Sequence, residues 1–213
     1  MRSTLFLTAA ALALPFACLA QEWEVGGTGG YGWYSNPSIV GLTGPIQSGM
    51  APRGLIGAVF GQNMYEHIGG EVRYLFQFGG PQLRQDGVQV NATGFTNTIV
   101  YDLLVHFTDR EARFRPYIGG GAGIKVYTGS EYRVIGQPFA GSAILKRHSQ
   151  VEPAISVGAG LKYQVARHAL IRLDFRTYMT PFPDEVLRPV GYSSRVHGWI
   201  FNFVPMGGVS VIF

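Results

Sequence analysis

Apolar and polar residues alternate along most of the chain. The clearest stretch covers residues 151–165, in which apolar side chains such as Ile155 and Leu161 occupy odd positions. The even positions of the same stretch hold small or polar side chains, among them Lys162. An alternation with a period of two residues predicts a β-strand that has one apolar face and one polar face.

Eight segments of this kind follow one another and predict eight strands. Their residue ranges are 23–34, 53–62, 68–78, 95–107, 114–127, 151–165, 171–179 and 199–213. Only in the second segment does the pattern leave the assignment of the two faces open.

The connections between these segments alternate in length. The long ones cover residues 35–52, 79–93, 128–150 and 180–198, and the short ones cover 63–67, 108–113 and 166–168. Long loops at one end and short turns at the other are typical of antiparallel barrels in outer membranes. Strands of about 9–11 residues are long enough to cross a bilayer when they are tilted.

The first 20 residues have the features of a secretory signal peptide. They begin with Arg2, continue with an apolar run, and end with the small residues Cys18 and Ala20. This order of a positive charge, an apolar run and a small-residue cleavage site defines such signals. The alternative is a lipoprotein signal acylated at Cys18, which would favour a branched apolar residue at the position of Pro15.

The composition restricts the class of the remaining domain, residues 21–213. Charged residues make up 14% and aromatic residues 13% of the chain, whereas a typical soluble domain has about 25% charged residues. This excludes a disordered chain, which would be highly charged and poor in aromatic residues. No stretch of the domain has the run of about 20 apolar residues that a membrane-spanning helix needs. The formal net charge is +4 and the basic residues are dispersed, so we expect no binding to nucleic acid.

These observations together predict an all-β fold, an eight-stranded antiparallel up-and-down transmembrane β-barrel. In lipid every backbone polar group must be paired, and with helices excluded only a closed barrel achieves this. Aromatic residues near the segment ends are the expected interfacial girdles. These residues are Trp23, Trp33, Tyr34, Phe95, Phe107, Phe114, Tyr127 and Trp199.

Three motifs resemble the eight-stranded outer-membrane barrel family typified by the transmembrane domain of outer membrane protein A. They are RPYIGGGAG at 115–123, GAGLKY at 158–163 and the terminal VSVIF at 209–213. The resemblance extends over nearly all of residues 21–213. It implies a porin-like protein of the Gram-negative outer membrane with both termini in the periplasm. It also implies that Phe213 serves as the signal recognised by the barrel-assembly machinery, and that outer-membrane lipids and lipopolysaccharide surround a protein that we expect to be a monomer.

The alternation places eleven charged residues on the inner face of the barrel. They are Glu24, Glu71, Arg73, Asp102, Arg115, Lys125, Glu152, Lys162, Arg172, Asp174 and Arg176. Eight strands enclose a space just wide enough for side chains, and buried ions there need partners. We therefore expect paired charges that close the interior and give the barrel a structural or small porin-like role. The alternative is a narrow solute or ion channel that the same residues line.

Two further alternatives depend on the long loops. A lipid A-modifying enzyme would need a Ser–His–acid set, which is recognised by geometry. The candidates are Asp184, Glu185, Ser193, Ser194 and His197, with His148 and Ser149 as a second pair. No strict motif is present, so we expect no enzymatic activity.

An adhesin would use the basic loop residues, which could equally pair with lipopolysaccharide phosphates. These residues are Arg84, Arg133, Lys146, Arg147, Arg188 and Arg195. The five histidines are scattered, and we expect neither a metal nor another cofactor.

Overall fold

A computed structural model describes most of the chain. The described residues are 22–35, 38–41, 44–85, 88–91, 93–131, 143–145, 148–183, 187–189 and 198–213. The signal peptide predicted for residues 1–20 lies outside them. No helix among the described residues is long and apolar enough to cross a membrane.

Eight long strands form a closed barrel. Numbered along the chain together with the shorter strands, they are β1 (Glu22–Tyr34), β4 (Arg53–Asn63), β5 (Ile68–Phe78), β8 (Thr93–His106), β9 (Phe114–Glu131), β11 (Ser149–Ala166), β12 (Ala169–Pro181) and β14 (Trp199–Ile212). Each strand pairs antiparallel with the next one along this series. The predicted eight-stranded up-and-down barrel is confirmed.

The barrel closes between its first and last strands. β1 pairs antiparallel with β14, so that Glu24 lies opposite Ile212 and Trp33 lies opposite Phe203. The Trp23 amide donates to the Phe213 carbonyl at 2.9 Å, and the Phe213 amide donates back at 3.0 Å. Closure therefore extends to the last residue, and the barrel has no unpaired edge strand.

In the described parts of the long connections, which were predicted as loops, there are six short strands. Four of them, β2 (Ser38–Gly41), β3 (Gly44–Met50), β6 (Pro81–Gln85) and β7 (Val88–Asn91), form one sheet in the order β2-β3-β6-β7. The other two, β10 (Ala143–Leu145) and β13 (Leu187–Pro189), pair with each other. We call the end of the barrel that carries these short strands the loop end. The opposite end carries both termini of the barrel and the short turns, and we call it the short-turn end.

The two faces of the strands follow the alternation. Large apolar side chains are exposed on the outside of every barrel strand, for example Tyr31, Leu103 and Leu173. The open question for β4 is answered by Ile56 and Phe60, which are exposed, so its odd-numbered residues face inward. A band of apolar side chains on the outside of a closed barrel is the surface that a lipid bilayer requires.

Two of the aromatic residues expected in the girdles lie inside the barrel. Tyr127 is 1% exposed and Tyr34 is also buried, so that expectation is wrong for both. In the alternation of its strand, Tyr34 has the same parity as inward-facing Glu24. Tyr127 likewise has the same parity as inward-facing Lys125. Their hydroxyls are satisfied there: Tyr34 donates to Gln77 Oε1 at 2.9 Å, and the Tyr127 hydroxyl lies 2.6 Å from Thr180 Oγ1.

Candidate functional site

The barrel interior is built in layers along its axis. From the short-turn end toward the loop end, the inward positions of β5 are Glu71, Arg73, Leu75 and Gln77. β12 passes in the same direction from charged Arg172 and Arg176 to Tyr178 and Thr180, all of them buried. These two strands thus contribute first to an ionic layer, then to an apolar layer, and then to a polar layer below the loops.

One carboxylate organises the part of the ionic layer nearest the short-turn end. Glu24 Oε2 lies 2.5 Å from Lys162 Nζ, and Glu24 Oε1 lies 2.6 Å from Arg172 Nη1. The same guanidinium reaches Glu71, with its Nη2 2.6 Å from Glu71 Oε2. These four side chains come from β1, β5, β11 and β12, so the contacts cross the lumen rather than follow one strand.

A second carboxylate links the remaining arginines. Asp174 Oδ1 lies 3.1 Å from Arg73 Nη2 and 3.7 Å from Arg176 Nε. It also accepts a hydrogen bond from the Tyr117 hydroxyl. Arg176 continues to Asp102 Oδ2 at 3.3 Å, and Arg73 continues to Glu71 Oε1 at 2.5 Å.

The ionic layer therefore holds equal numbers of buried acids and bases. Its members are Glu24, Glu71, Asp102 and Asp174 with Arg73, Lys162, Arg172 and Arg176. All eight are buried, and every one lies within ion-pair distance of at least one opposite charge. Burial of ions is tolerated when opposite charges replace water, and each of these ions has such a partner. Within the described part of the chain, the side-chain atoms of Asp102 and Arg176 make ion pairs but no hydrogen bond.

The apolar layer fills the next section of the lumen. Its members form one buried cluster: Leu55, Leu75, Val100, Ala154, Tyr178, Val204 and Met206. This layer was not predicted from the sequence. The alternation nevertheless indicated it, because Leu75 has the same parity as inward-facing Arg73, and Val204 has the same parity as inward-facing Asn202.

Three of the eleven predicted interior charges lie apart from the network. Arg115 is near the short-turn end and donates to the Glu66 carbonyl at 3.4 Å. Lys125 lies toward the loop end. Glu152 is only partly buried, and it accepts a hydrogen bond from Gln150 Nε2 at 2.6 Å. The structure thus brings eight of the eleven residues together.

Lys125 has an aromatic environment rather than an ionic one. Its ammonium lies 4.7 Å from the ring centroid of Tyr34, 5.5 Å from that of Tyr127 and 5.9 Å from that of Tyr178. The amide oxygen of Asn202, in the orientation that its neighbours favour, accepts a hydrogen bond from Lys125 Nζ at 2.7 Å. Ring faces attract cations, so these contacts partly replace the missing carboxylate.

The candidates for enzymatic and adhesive roles are mostly not described by the structure. Asp184, Glu185, Ser193, Ser194 and His197 lie outside the described residues, as do Arg133, Lys146, Arg147, Arg195 and the side chain of Arg188. His148 and Arg84 are exposed, and the Ser149 hydroxyl lies 3.1 Å from that of Thr128. Within the described ranges, no group of three or more His, Cys, Asp or Glu side chains is placed to hold a metal ion.

The fold is that of known outer-membrane barrels. The chain is similar to Neisserial surface protein A (NspA), with 13% identity, a TM-score of 0.57, and coverage of 90% of this chain and 97% of that one. It is also similar to outer membrane protein AlkL, with 14% identity, a TM-score of 0.51, and coverage of 89% of this chain and 90% of that one. The outer membrane protease OmpT from Escherichia coli matches with 10% identity, 91% and 96% coverage, and a TM-score of 0.44. No protein-family model and no curated protein match the sequence.

The similarity to NspA and AlkL supports the fold and leaves the activity open, because one fold supports many functions. The predicted resemblance to eight-stranded outer-membrane barrels is confirmed at the level of the fold. The outer-membrane location is confirmed by this fold together with the apolar band on the outside of the barrel.

Proposed function

We propose that this protein is a closed structural barrel of the outer membrane. The observation that carries the proposal is the stacking of two filled layers in the lumen, an ionic layer with matched charges and an apolar layer beyond it. An eight-stranded barrel has room for side chains and little else.

A permeating ion would have to pass both layers. In the ionic layer it would compete with contacts as short as 2.5 Å between Arg73 and Glu71 and 2.6 Å between Arg172 and Glu24. In the apolar layer the ion would lose its hydration shell without gaining new ligands. Moving an ion into a low-dielectric interior costs on the order of several kcal/mol. The two barriers act in series and favour a scaffold over a channel.

The proposed partners follow from the outer surface. Outer-membrane lipids would cover the apolar band, and lipopolysaccharide would meet the polar rim of the loop end. A closed barrel offers no unpaired strand edge to another copy, which supports a monomer. We further propose that the barrel-assembly machinery engages the last strand, β14, through the terminal Phe213.

Conductance in planar bilayers tests the closed barrel. We expect refolded wild-type protein to give no reproducible openings. The double variant Arg172→Ala/Arg176→Ala removes two cations from the ionic layer, and Arg53→Ala/Arg167→Ala removes two exposed arginines as a matched control. A faster migration of unheated samples in detergent gels verifies that each protein is folded.

The channel alternative predicts a different result. Reproducible wild-type openings whose size or ion selectivity changes in Arg172→Ala/Arg176→Ala, and not in the control, would make the ionic layer the lining of a pore. That outcome would overturn the closed scaffold.

A further inference from the structure

A cavity of about 190 Å³ lies at the short-turn end of the barrel. Its wall combines inward positions of the barrel strands with the turn that connects β8 and β9. The charged residues of the wall are Glu22, Arg110, Glu111, Arg113, Arg115 and Lys162. Glu111 and Arg113 are exposed, so the cavity communicates with solvent at this end. Short turns of outer-membrane barrels face the periplasm.

Arg115 is a buried cation of this cavity. The residue is 6% exposed, and its Nε has no protein partner. One Nη2 contact at 3.4 Å to the Glu66 carbonyl is its only described hydrogen bond. Among the described residues, no carboxylate lies within ion-pair distance of this guanidinium.

Three of the other charged residues of the wall, Glu22, Arg110 and Lys162, already have oppositely charged partners. Glu22 Oε2 lies 3.8 Å from Arg110 Nε and accepts from Asn63 Nδ2 at 3.4 Å. Lys162 is held by Glu24 at 2.5 Å. These pairs leave the guanidinium of Arg115 without a carboxylate in direct contact at the bottom of the cavity, and Arg113 adds a second cation at its mouth.

We propose that this cavity binds a small oxyanion, such as inorganic phosphate, that enters from the periplasmic side. A buried guanidinium without a carboxylate favours a counter-ion from solution, since an isolated buried charge is strongly unfavourable. The planar donor fork of arginine matches the oxygen geometry of phosphate and carboxylate groups. The cavity is smaller than the roughly 300–1,000 Å³ of pockets for drug-sized ligands, so the ligand has to be small.

The position of the cavity determines what the bound anion can do. Lys162 belongs both to the cavity wall and to the ionic layer, so the cavity ends where the paired charges begin. A bound anion therefore remains at the periplasmic end and does not traverse the lumen.

Titration calorimetry of the folded protein with inorganic phosphate tests the site. A nonionic detergent keeps phosphate headgroups out of the sample. We expect saturable binding to the wild type and a loss of about tenfold or more in affinity for Arg115→Gln, because a hydrogen bond to a charged group is removed. Arg53→Gln, which makes the same charge change at an exposed position near the loop end, serves as the control and should bind as the wild type does.

Two results would overturn the proposal. One is the absence of saturable phosphate binding to folded wild-type protein at constant ionic strength. The other is an unchanged affinity in folded Arg115→Gln. If Arg115→Gln does not fold, the exposed Arg113→Gln variant is measured instead. A phosphate affinity of Arg113→Gln equal to that of Arg53→Gln would then refute an anion site in this cavity. These binding measurements do not depend on conductance. The anion site is therefore tested independently of the proposal that the barrel is closed.

Discussion

Two lysines are buried inside the barrel, and their surroundings differ. Lys162 contacts Glu24, which Arg172 also contacts, so its charge belongs to a balanced network. Lys125 is 0% exposed and is surrounded by tyrosine rings and one amide. Removing the charge should therefore have opposite consequences at the two positions.

We expect Lys125→Met to leave the free energy of unfolding unchanged or to raise it. The desolvation of a lone ammonium exceeds the roughly 0.5–2 kcal/mol that a ring contact returns, and methionine fills a similar volume. Lys162→Met should lower the free energy of unfolding by about 3 kcal/mol, because it removes one partner of a buried ion pair. Urea unfolding in lipid vesicles measures both. A larger loss for Lys125→Met than for Lys162→Met would refute this account.

The alternation in the sequence predicted that both lysines face inward, and it said nothing about their partners. Lys162 and its partner Glu24 are 138 residues apart in the chain. A period of two residues reports which face a side chain occupies, whereas the partner depends on the pairing register of strands that are distant in sequence. For the same reason the sequence did not distinguish Arg115 from the network residues.

The strand β11 depends on glycine at two inward positions. A Cβ atom on Gly160 would lie 2.5 Å from Cζ of Tyr117, and one on Gly158 would lie 2.6 Å from Cδ of Arg176. Both neighbours hold the ionic layer together, Tyr117 through Asp174 and Arg176 through Asp102. The glycines on this strand thus make the space that the charged side chains occupy.

Gly160→Ala should lower the free energy of unfolding by about 1–3 kcal/mol, the range found when a methyl group is forced into a filled core. Gly27→Ala is the matched control, since a Cβ atom there meets no other atom within 4 Å. Urea unfolding in vesicles compares the two. Equal stability of both variants would show that Tyr117 moves aside without loss.

The strands of the barrel were predictable because each has one face toward lipid and one toward the lumen. The predicted range 68–78 coincides with β5, and the range 53–62 differs from β4 by one residue. The short strands of the long connections were missed. They lie beyond the apolar band, where no lipid imposes alternation. Met50 in β3 is fully buried although it belongs to a connection, which shows that part of the loop end is packed.

For the molecule as a whole, the fold follows from two requirements that the sequence displays directly. The outer face is apolar on every strand, and the backbone of each strand is paired on both sides. In lipid these requirements leave closure as the solution for strands. The residues that fill the lumen do not follow from these requirements. The outward positions determine that a barrel forms, whereas the inward side chains only have to fit into its interior. This explains why the class of fold was evident from the sequence and the layered interior was not.

The terminal residue of the closed barrel provides a test of assembly in cells. Phe213 is 65% exposed, while its backbone is hydrogen-bonded to Trp23. Phe213→Asp should preserve those backbone bonds and still refold in detergent. If Phe213 is the assembly signal, we expect several-fold less heat-modifiable protein in the outer-membrane fraction.

Phe107→Asp separates this signal from a general effect of charge. Phe107 is 61% exposed and lies just beyond the end of β8, at the short-turn end like Phe213. An aspartate at either position meets the edge of the apolar band, so the unfavourable contact with lipid is similar. The proposed assembly signal lies in the last strand and includes Phe213 but not Phe107, so the loss should be confined to the Phe213 variant. An equal loss in both variants would mean that a charge at this end of the barrel hinders insertion wherever it stands, and Phe213 would have no special role.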